Sequence, residues 1–143
     1  MALIQNLFAR EILDGRGQPT VECSIWLDNG VYAVSSAASG TSVGKYEALE
    51  LRDQEQRMLG MGVTKAVANI NTIIAPALKG KDPSDQQGID TTLVQLDGTE
   101  KRTALGGNAM IAVSQVVMKA AALAAGVPLY YYYLLYTSPI PRD

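Results

Sequence analysis

Between Thr20 and Asp28 apolar and polar residues alternate, with Val21, Cys23, Ile25 and Leu27 in one set and Glu22, Ser24 and Trp26 in the other. A period of two places one set on a core and the other on the opposite face of a sheet, and this pattern limits the available folds more than any other in the chain. Asn29-Gly30 follows, a pair suited to the positive φ angles of a hairpin turn. Val31 to Val34 then predict the return strand. Leu7 to Leu13, ahead of the Asp14-Gly15-Arg16-Gly17 turn, predict the strand before it. The expectation is a three-stranded antiparallel meander.

The rest of the chain reads as helices, so the class is α+β, a meander followed by a bundle of about four helices, and not an alternating βαβ pattern. Tyr46 to about Leu59 predicts a polar helix that stops near Gly60 and Gly62, with Glu47, Glu50, Asp53 and Glu55 on a solvated face. From Val63, the residues Val67, Ile70, Ile74 and Leu78 recur at helical spacing and predict one core-facing stripe. Asp82-Pro83-Ser84-Asp85 is a start signal for a helix to about Leu96, and Asp97-Gly98-Thr99 reads as a turn. A last long helix is expected from near Asn108, with Met110, Val113, Val117, Ala121 and Ala124 on one face, stopped by Gly126 and Pro128. Tyr130 to Tyr133 reads as aromatic packing after that helix.

Composition narrows the chemistry. The chain has 143 residues and no histidine, which removes Ser-His-Asp and Cys-His nucleophiles and every His-ligated metal site. With Cys23 as the single cysteine there is no internal disulfide, and its inward place in a strand predicts a buried small hydrophobe. Any metal must therefore be held by oxygen. A net charge of −2 gives no electrostatic footprint for nucleic acid or anionic lipid. Ala120 to Pro141 is uncharged, yet Gly126, Pro128 and its alanine content argue against a membrane span, and the first residues do not form a signal peptide.

The segment Ser36 to Gly44 is small, uncharged and flexible, and two functional readings compete for it besides that of a plain solvated loop. As a P-loop for nucleotide, Gly40-Thr41-Ser42-Val43-Gly44-Lys45 has one residue too few between its glycines and Tyr46 where a Ser or Thr is needed. As a lid, its hydroxyls and carbonyls would complete a hard-cation or phosphate site whose carboxylates lie elsewhere. Arg10 and Glu22 are charges within strands, read most simply as a surface pair.

Several of these segments, taken together, resemble the enolase family. Ala9-Arg10-Glu11-Ile12-Leu13-Asp14-Gly15-Arg16-Gly17-Gln18-Pro19-Thr20-Val21-Glu22 is similar to the family opening, and Ser39-Gly40-Thr41-Ser42-Val43-Gly44 with Tyr46-Glu47-Ala48-Leu49-Glu50-Leu51-Arg52-Asp53 is similar to its serine-bearing loop and following segment. Ala66-Val67-Ala68-Asn69-Ile70-Asn71, Leu96-Asp97-Gly98-Thr99, Leu105-Gly106-Gly107-Asn108-Ala109-Met110 and Val127-Pro128-Leu129-Tyr130 keep the family order. The resemblance covers roughly residues 1 to 133.

The resemblance implies the amino-terminal capping domain of phosphopyruvate hydratase, a cytoplasmic glycolytic enzyme that interconverts 2-phosphoglycerate and phosphoenolpyruvate with Mg²⁺. The catalytic residues of that family lie in a carboxyl-terminal barrel absent from this chain, so no catalytic residue is expected here and the chain alone should be inactive. By position Ser42 matches a loop serine that ligates Mg²⁺ when the lid, Ala38, Ser39, Gly40, Thr41, Ser42, Val43 and Gly44, closes. Arg10 and Glu22 match charges that pair across the subunit interface of a dimer-based homo-oligomer. Ala38, Thr41, Val43, Gly15, Gln18 and Gly107 depart from the usual family residues. Residues 134–143 do not match the family and are expected to be a disordered or foreign tail on a fragment. The non-enzyme alternative is a stand-alone binding or assembly domain.

Overall fold

The structure, a computed structural model, describes residues 1–136. Strands β1 (Ile4–Leu13), β2 (Pro19–Leu27) and β3 (Tyr32–Ser36) form one antiparallel sheet in the order β1-β2-β3, which is the expected meander. Arg10 stands opposite Glu22, and Cys23 lies between Ala9 and Ser35. The alternation in β2 does what its period requires: Val21, Cys23, Ile25 and Leu27 are buried while Glu22, Ser24 and Trp26 are only half-buried. At the hairpin, Leu27 N–H donates to the Val31 carbonyl at 2.9 Å, and Gly30 takes the left-handed conformation at φ 87° that closes the loop.

The helices pack on the inner face of the sheet and on one another. They are α1 (Thr64–Asn69), a π-helical turn (Ile70–Ile74), α2 (Ala75–Leu78), α3 (Gln86–Asp97), α4 (Gly107–Ala124) and α5 (Leu129–Tyr136). The first three run on without a break, and Val63, Ile70, Ile74 and Leu78 form the expected buried stripe, with Val67 half-buried. Pro76 has no N–H for the preceding turn, and Ala75 N–H reaches back to the Ile70 carbonyl in the wide turn before it. Asp85 caps α3 by accepting from Gly88 N–H at 3.0 Å, and Gly98 ends that helix left-handed at φ 69°.

α4 lies against β2 and β3 and buries a broad face that includes Ala109, Ala112, Val113, Val116, Val117, Ala120 and Ala121. Two residues expected on that face differ: Met110, in the first turn, is half-buried and Ala124, the last residue of the helix, is exposed. α4 has the length and hydropathy of a membrane-spanning helix, but 56% of it is buried inside the fold, as in a core helix. Tyr132 of α5 packs with Ala121 and Ala122, whereas Tyr130, Tyr131 and Tyr133 are exposed, so only part of the tyrosine run packs as expected. The expected tail at 134–143 begins inside α5, and from residue 137 onward it lies outside the described residues.

One expected element is absent. Tyr46 to Leu59 is not a helix: its only regular part is a short 3₁₀ segment, Arg57–Gly60, in which Met58 and Leu59 are left-handed. Its backbone groups find partners at a distance instead. Leu49 N–H donates to the Lys101 carbonyl at 2.8 Å, Gly107 N–H to the Leu49 carbonyl at 2.7 Å, and Asp53 N–H to the Gly62 carbonyl at 2.8 Å. Asn108 completes the docking with its side-chain amide, which accepts from Leu51 N–H at 3.0 Å and donates to the Leu51 carbonyl at 3.1 Å. Backbone satisfied in this way gains nothing from forming i to i−4 bonds, whatever the helix propensity of Glu, Ala, Leu and Arg.

Candidate functional site

The candidate lid emerges from the end of β3. Ala37 still belongs to the sheet, since its N–H donates to the Val21 carbonyl at 2.9 Å and its carbonyl accepts from the Thr20 hydroxyl at 2.7 Å. From Ala38 the chain turns to solvent. Ser39 is then held on two sides. Its carbonyl accepts from Arg16 Nη2 at 2.9 Å, and its hydroxyl donates to Glu50 Oε2 at 3.0 Å and accepts from Arg52 Nη2 at 2.9 Å.

Gly40, Thr41, Ser42 and Val43 are exposed, and among the described residues no hydrogen bond holds them. The far end is fixed again at Gly44, whose N–H donates to Glu47 Oε2 at 2.8 Å while its carbonyl accepts from Glu47 N–H at 3.2 Å. Ser42 therefore sits in an untethered span between two tethered residues. Beneath the span is a cleft of about 260 Å³ lined in part by Gln18, Ser42, Glu47, Glu50, Arg52 and Met61.

The carboxylates expected on a solvated helix face have other duties. Glu47 caps the loop, and Glu50 pairs with Arg52 at 2.9 Å. Asp53 is buried and serves α1 as a remote N-cap, accepting from Thr64 N–H at 2.9 Å, the Thr64 hydroxyl at 2.6 Å and Lys65 N–H at 2.9 Å. Burial pushes its carboxyl up, but the Thr64 hydroxyl and the Lys65 and Thr64 amides together hold it below the usual carboxylate range. Only Glu55 remains as read, an exposed residue 3.5 Å from Lys65. Glu11 is anchored by Arg57 and accepts from Val63 N–H at 2.8 Å, and the Arg57 hydrogen bond leads in lowering its pKa.

Arg10 and Glu22 pair with each other across β1 and β2 at 2.7 Å, on the face of the sheet away from the helices, with Arg10 largely exposed. Cys23 is fully buried, and that burial pushes its thiol up to about 12, so it behaves as core.

The P-loop reading does not survive the geometry. That motif presents phosphate to the N-terminus of a helix, and here residues 44 to 56 are non-helical and the sheet is antiparallel. A self-contained metal site is also missing: among the described residues no group of three or more Asp, Glu or Cys side chains could hold an ion. A serine hydroxyl is the hard oxygen donor that Mg²⁺ accepts, but Glu47 and Glu50 are committed to the loop ends. Ser42 offers one exposed hydroxyl oxygen, which is not a complete site among the described residues.

Four residues that hold the site in place were invisible to pattern reading, though they lie within the matched segments. Arg52 ties Ser39 to the Pro19 and Met61 carbonyls. Asn108 docks the segment after the loop. Asn71, projecting from the π-helical turn, does the same for β1, accepting from Ala9 N–H at 2.8 Å and donating to the Ala9 carbonyl at 3.1 Å. Asp97 gathers the Thr99 and Leu105 amides and the Thr99 hydroxyl, shaping the connection into α4. Their signal in a single sequence is weak, because an asparagine that mimics a peptide group looks the same as one in a turn.

Compared with known families, residues 4–133 match the family described as enolase, N-terminal domain.

Proposed function

The chain belongs to the enolase N-terminal domain family, and on that premise we propose that it is the capping domain of a phosphopyruvate hydratase, with Ala38 to Gly44 as the lid over an active site built mainly by a barrel domain. The full-length enzymes of this family are glycolytic lyases. In their reaction Mg²⁺ supplies fixed positive charge where negative charge develops on the substrate. The part assigned to this chain is narrower. Ser42 brings a hydroxyl oxygen to the metal when the lid closes, and the small residues around it let the backbone approach the substrate and exclude water.

The observation that carries the reading is the arrangement of the loop: an exposed, untethered Ser42 between two fixed ends, beside a cleft, in a chain that matches the family from residue 4 to residue 133. The same premise assigns Arg10 and Glu22 to the interface of a dimer-based homo-oligomer. In the single chain they satisfy each other, so this role needs them to exchange partners on association. It also assigns the enzyme to the cytoplasm and 2-phosphoglycerate and phosphoenolpyruvate as its ligands.

The experiment joins residues 1–133 to the barrel domain of an enolase and follows phosphoenolpyruvate formation from 2-phosphoglycerate with Mg²⁺. The joined protein is expected to turn over and the chain alone to be inactive. A joined protein that folds but does not turn over would point to a stand-alone binding domain, and turnover by the isolated chain would refute the division of labour.

A further inference from the structure

The proposed lid has an unequal pair of ends. Among the described residues it is held at Gly44 only by Glu47, an exposed neighbour three positions along the chain. At Ser39 it is held by a network drawn from three separate stretches. Arg52, whose side chain is 11% exposed, donates through Nη1 to the Pro19 and Met61 carbonyls and through Nη2 to Ser39 Oγ and Glu50 Oε2, both at 2.9 Å. Glu50 Oε2 closes the triangle by accepting from Ser39 Oγ at 3.0 Å. Arg16 adds the bond to the Ser39 carbonyl. The guanidinium is turned so that both Nη atoms serve these acceptors while Nε, buried, finds no partner among the described residues. A group that leaves one buried donor unsatisfied is oriented by its other bonds.

We propose that Arg52 and Glu50 are positioning residues for Ser42: acting through the Ser39 hydroxyl, they make Ser39 the fixed hinge of the lid, so that Gly40 to Val43 swing about it and return Ser42 to one place. The idea rests on the lid reading above and adds the residues that aim it. The geometry is chemically specific. Ser39 needs a hydroxyl because it both donates to a carboxylate and accepts from a guanidinium, and position 52 needs arginine because a lysine ammonium cannot span two backbone carbonyls and a hydroxyl at once.

The test is amide hydrogen exchange in this chain, with a parallel Mg²⁺ titration of turnover in the chain joined to an enolase barrel. In Ser39→Ala the Ala37 amide, bonded to the Val21 carbonyl beside the hinge, is expected to exchange about fivefold faster as both hydrogen bonds of the Ser39 hydroxyl are lost, while α4 amides keep their protection. Ser39→Thr retains the hydroxyl and is expected to stay within about twofold of the unaltered chain. Arg52→Lys should behave as Ser39→Ala does. In the joined enzyme Ser39→Ala should raise the Mg²⁺ concentration for half-maximal rate, and Ser39→Thr should restore it.

Unchanged exchange in Ser39→Ala, failure of threonine to rescue, or loss of α4 protection along with that of Ala37 would overturn the hinge. Failure of the lid reading itself looks different. The exchange effect of Ser39→Ala would remain, but neither it nor Ser42→Ala would alter the Mg²⁺ dependence.

Discussion

Replacing Asn108 with alanine removes the amide that stands in for a neighbouring strand. Leu51 would lose the acceptor of its N–H, now at 3.0 Å, and the donor to its carbonyl, now at 3.1 Å, and Ala109 N–H would lose the same Oδ1 at 3.1 Å. Asn108 is buried and Leu51 half-buried, so water reaches the orphaned groups only in part. Each unsatisfied buried group costs about 1–3 kcal/mol, and partial access to water places the total at about 2–4 kcal/mol. With a urea slope of about 1.5–2 kcal/mol per molar, the unfolding midpoint should fall by roughly 1–3 M at unchanged slope. Asn108→Asp keeps the acceptor and loses the donor, setting a carboxylate oxygen against the Leu51 carbonyl, and should be no more stable than the alanine variant. A loss below about 0.5 kcal/mol, typical of an unremarkable surface substitution, would refute the claim that this amide holds the segment out of a helix.

Other substitutions probe the same construction. Gly106→Ala forces a side chain onto a residue at φ 97° and sets its Cβ 2.6 Å from both Leu51 Cβ and Asn108 Oδ1; thermal melting should show a loss of about 2–4 kcal/mol from strain and overlap. Cys23, with its thiol pushed up to about 12, should resist alkylation in the native chain at pH 8 and react only on unfolding, followed by mass spectrometry. Asp53, Asp97 and Glu11 all have lowered pKa values in the fold. Their stabilisation is therefore complete above the unfolded carboxylate pKa of about 4 and is lost as pH falls through their lower folded values. Urea midpoints measured from pH 7 down to 2 should drop in that acid range, and Asp53→Asn should flatten part of the drop.

The sheet was legible because its information is local. The alternation of β2 and the Asn29-Gly30 turn fix strand, face and reversal within a dozen residues, and the burial of Val21, Cys23, Ile25 and Leu27 follows. The start of α3 at Asp85 and the stripe from Val63 to Leu78 were readable for the same reason, although the π-helical turn inside that stripe keeps nearly the same spacing and so leaves no trace in it. The segment from Tyr46 to Leu59 misled because its composition favours a helix while its partners Lys101, Gly107 and Asn108 are far away in the chain. The candidate site could be named from the sequence but not built from it. Flexibility marked the loop, and resemblance marked Ser42, but the hold of Arg52 on Ser39 and the capping of α1 by Asp53 exist only in three dimensions.

The central claim is that Ser42 rides a hinged loop and adds an oxygen to a Mg²⁺ site completed by another domain. Its most direct test is Ser42→Ala in the chain joined to an enolase barrel, with turnover of 2-phosphoglycerate titrated against Mg²⁺. The account predicts that half-maximal rate requires about tenfold more Mg²⁺ or beyond, with a lower ceiling, as loss of a metal contact entails. A titration curve and a maximal rate indistinguishable from those of the parent would contradict it.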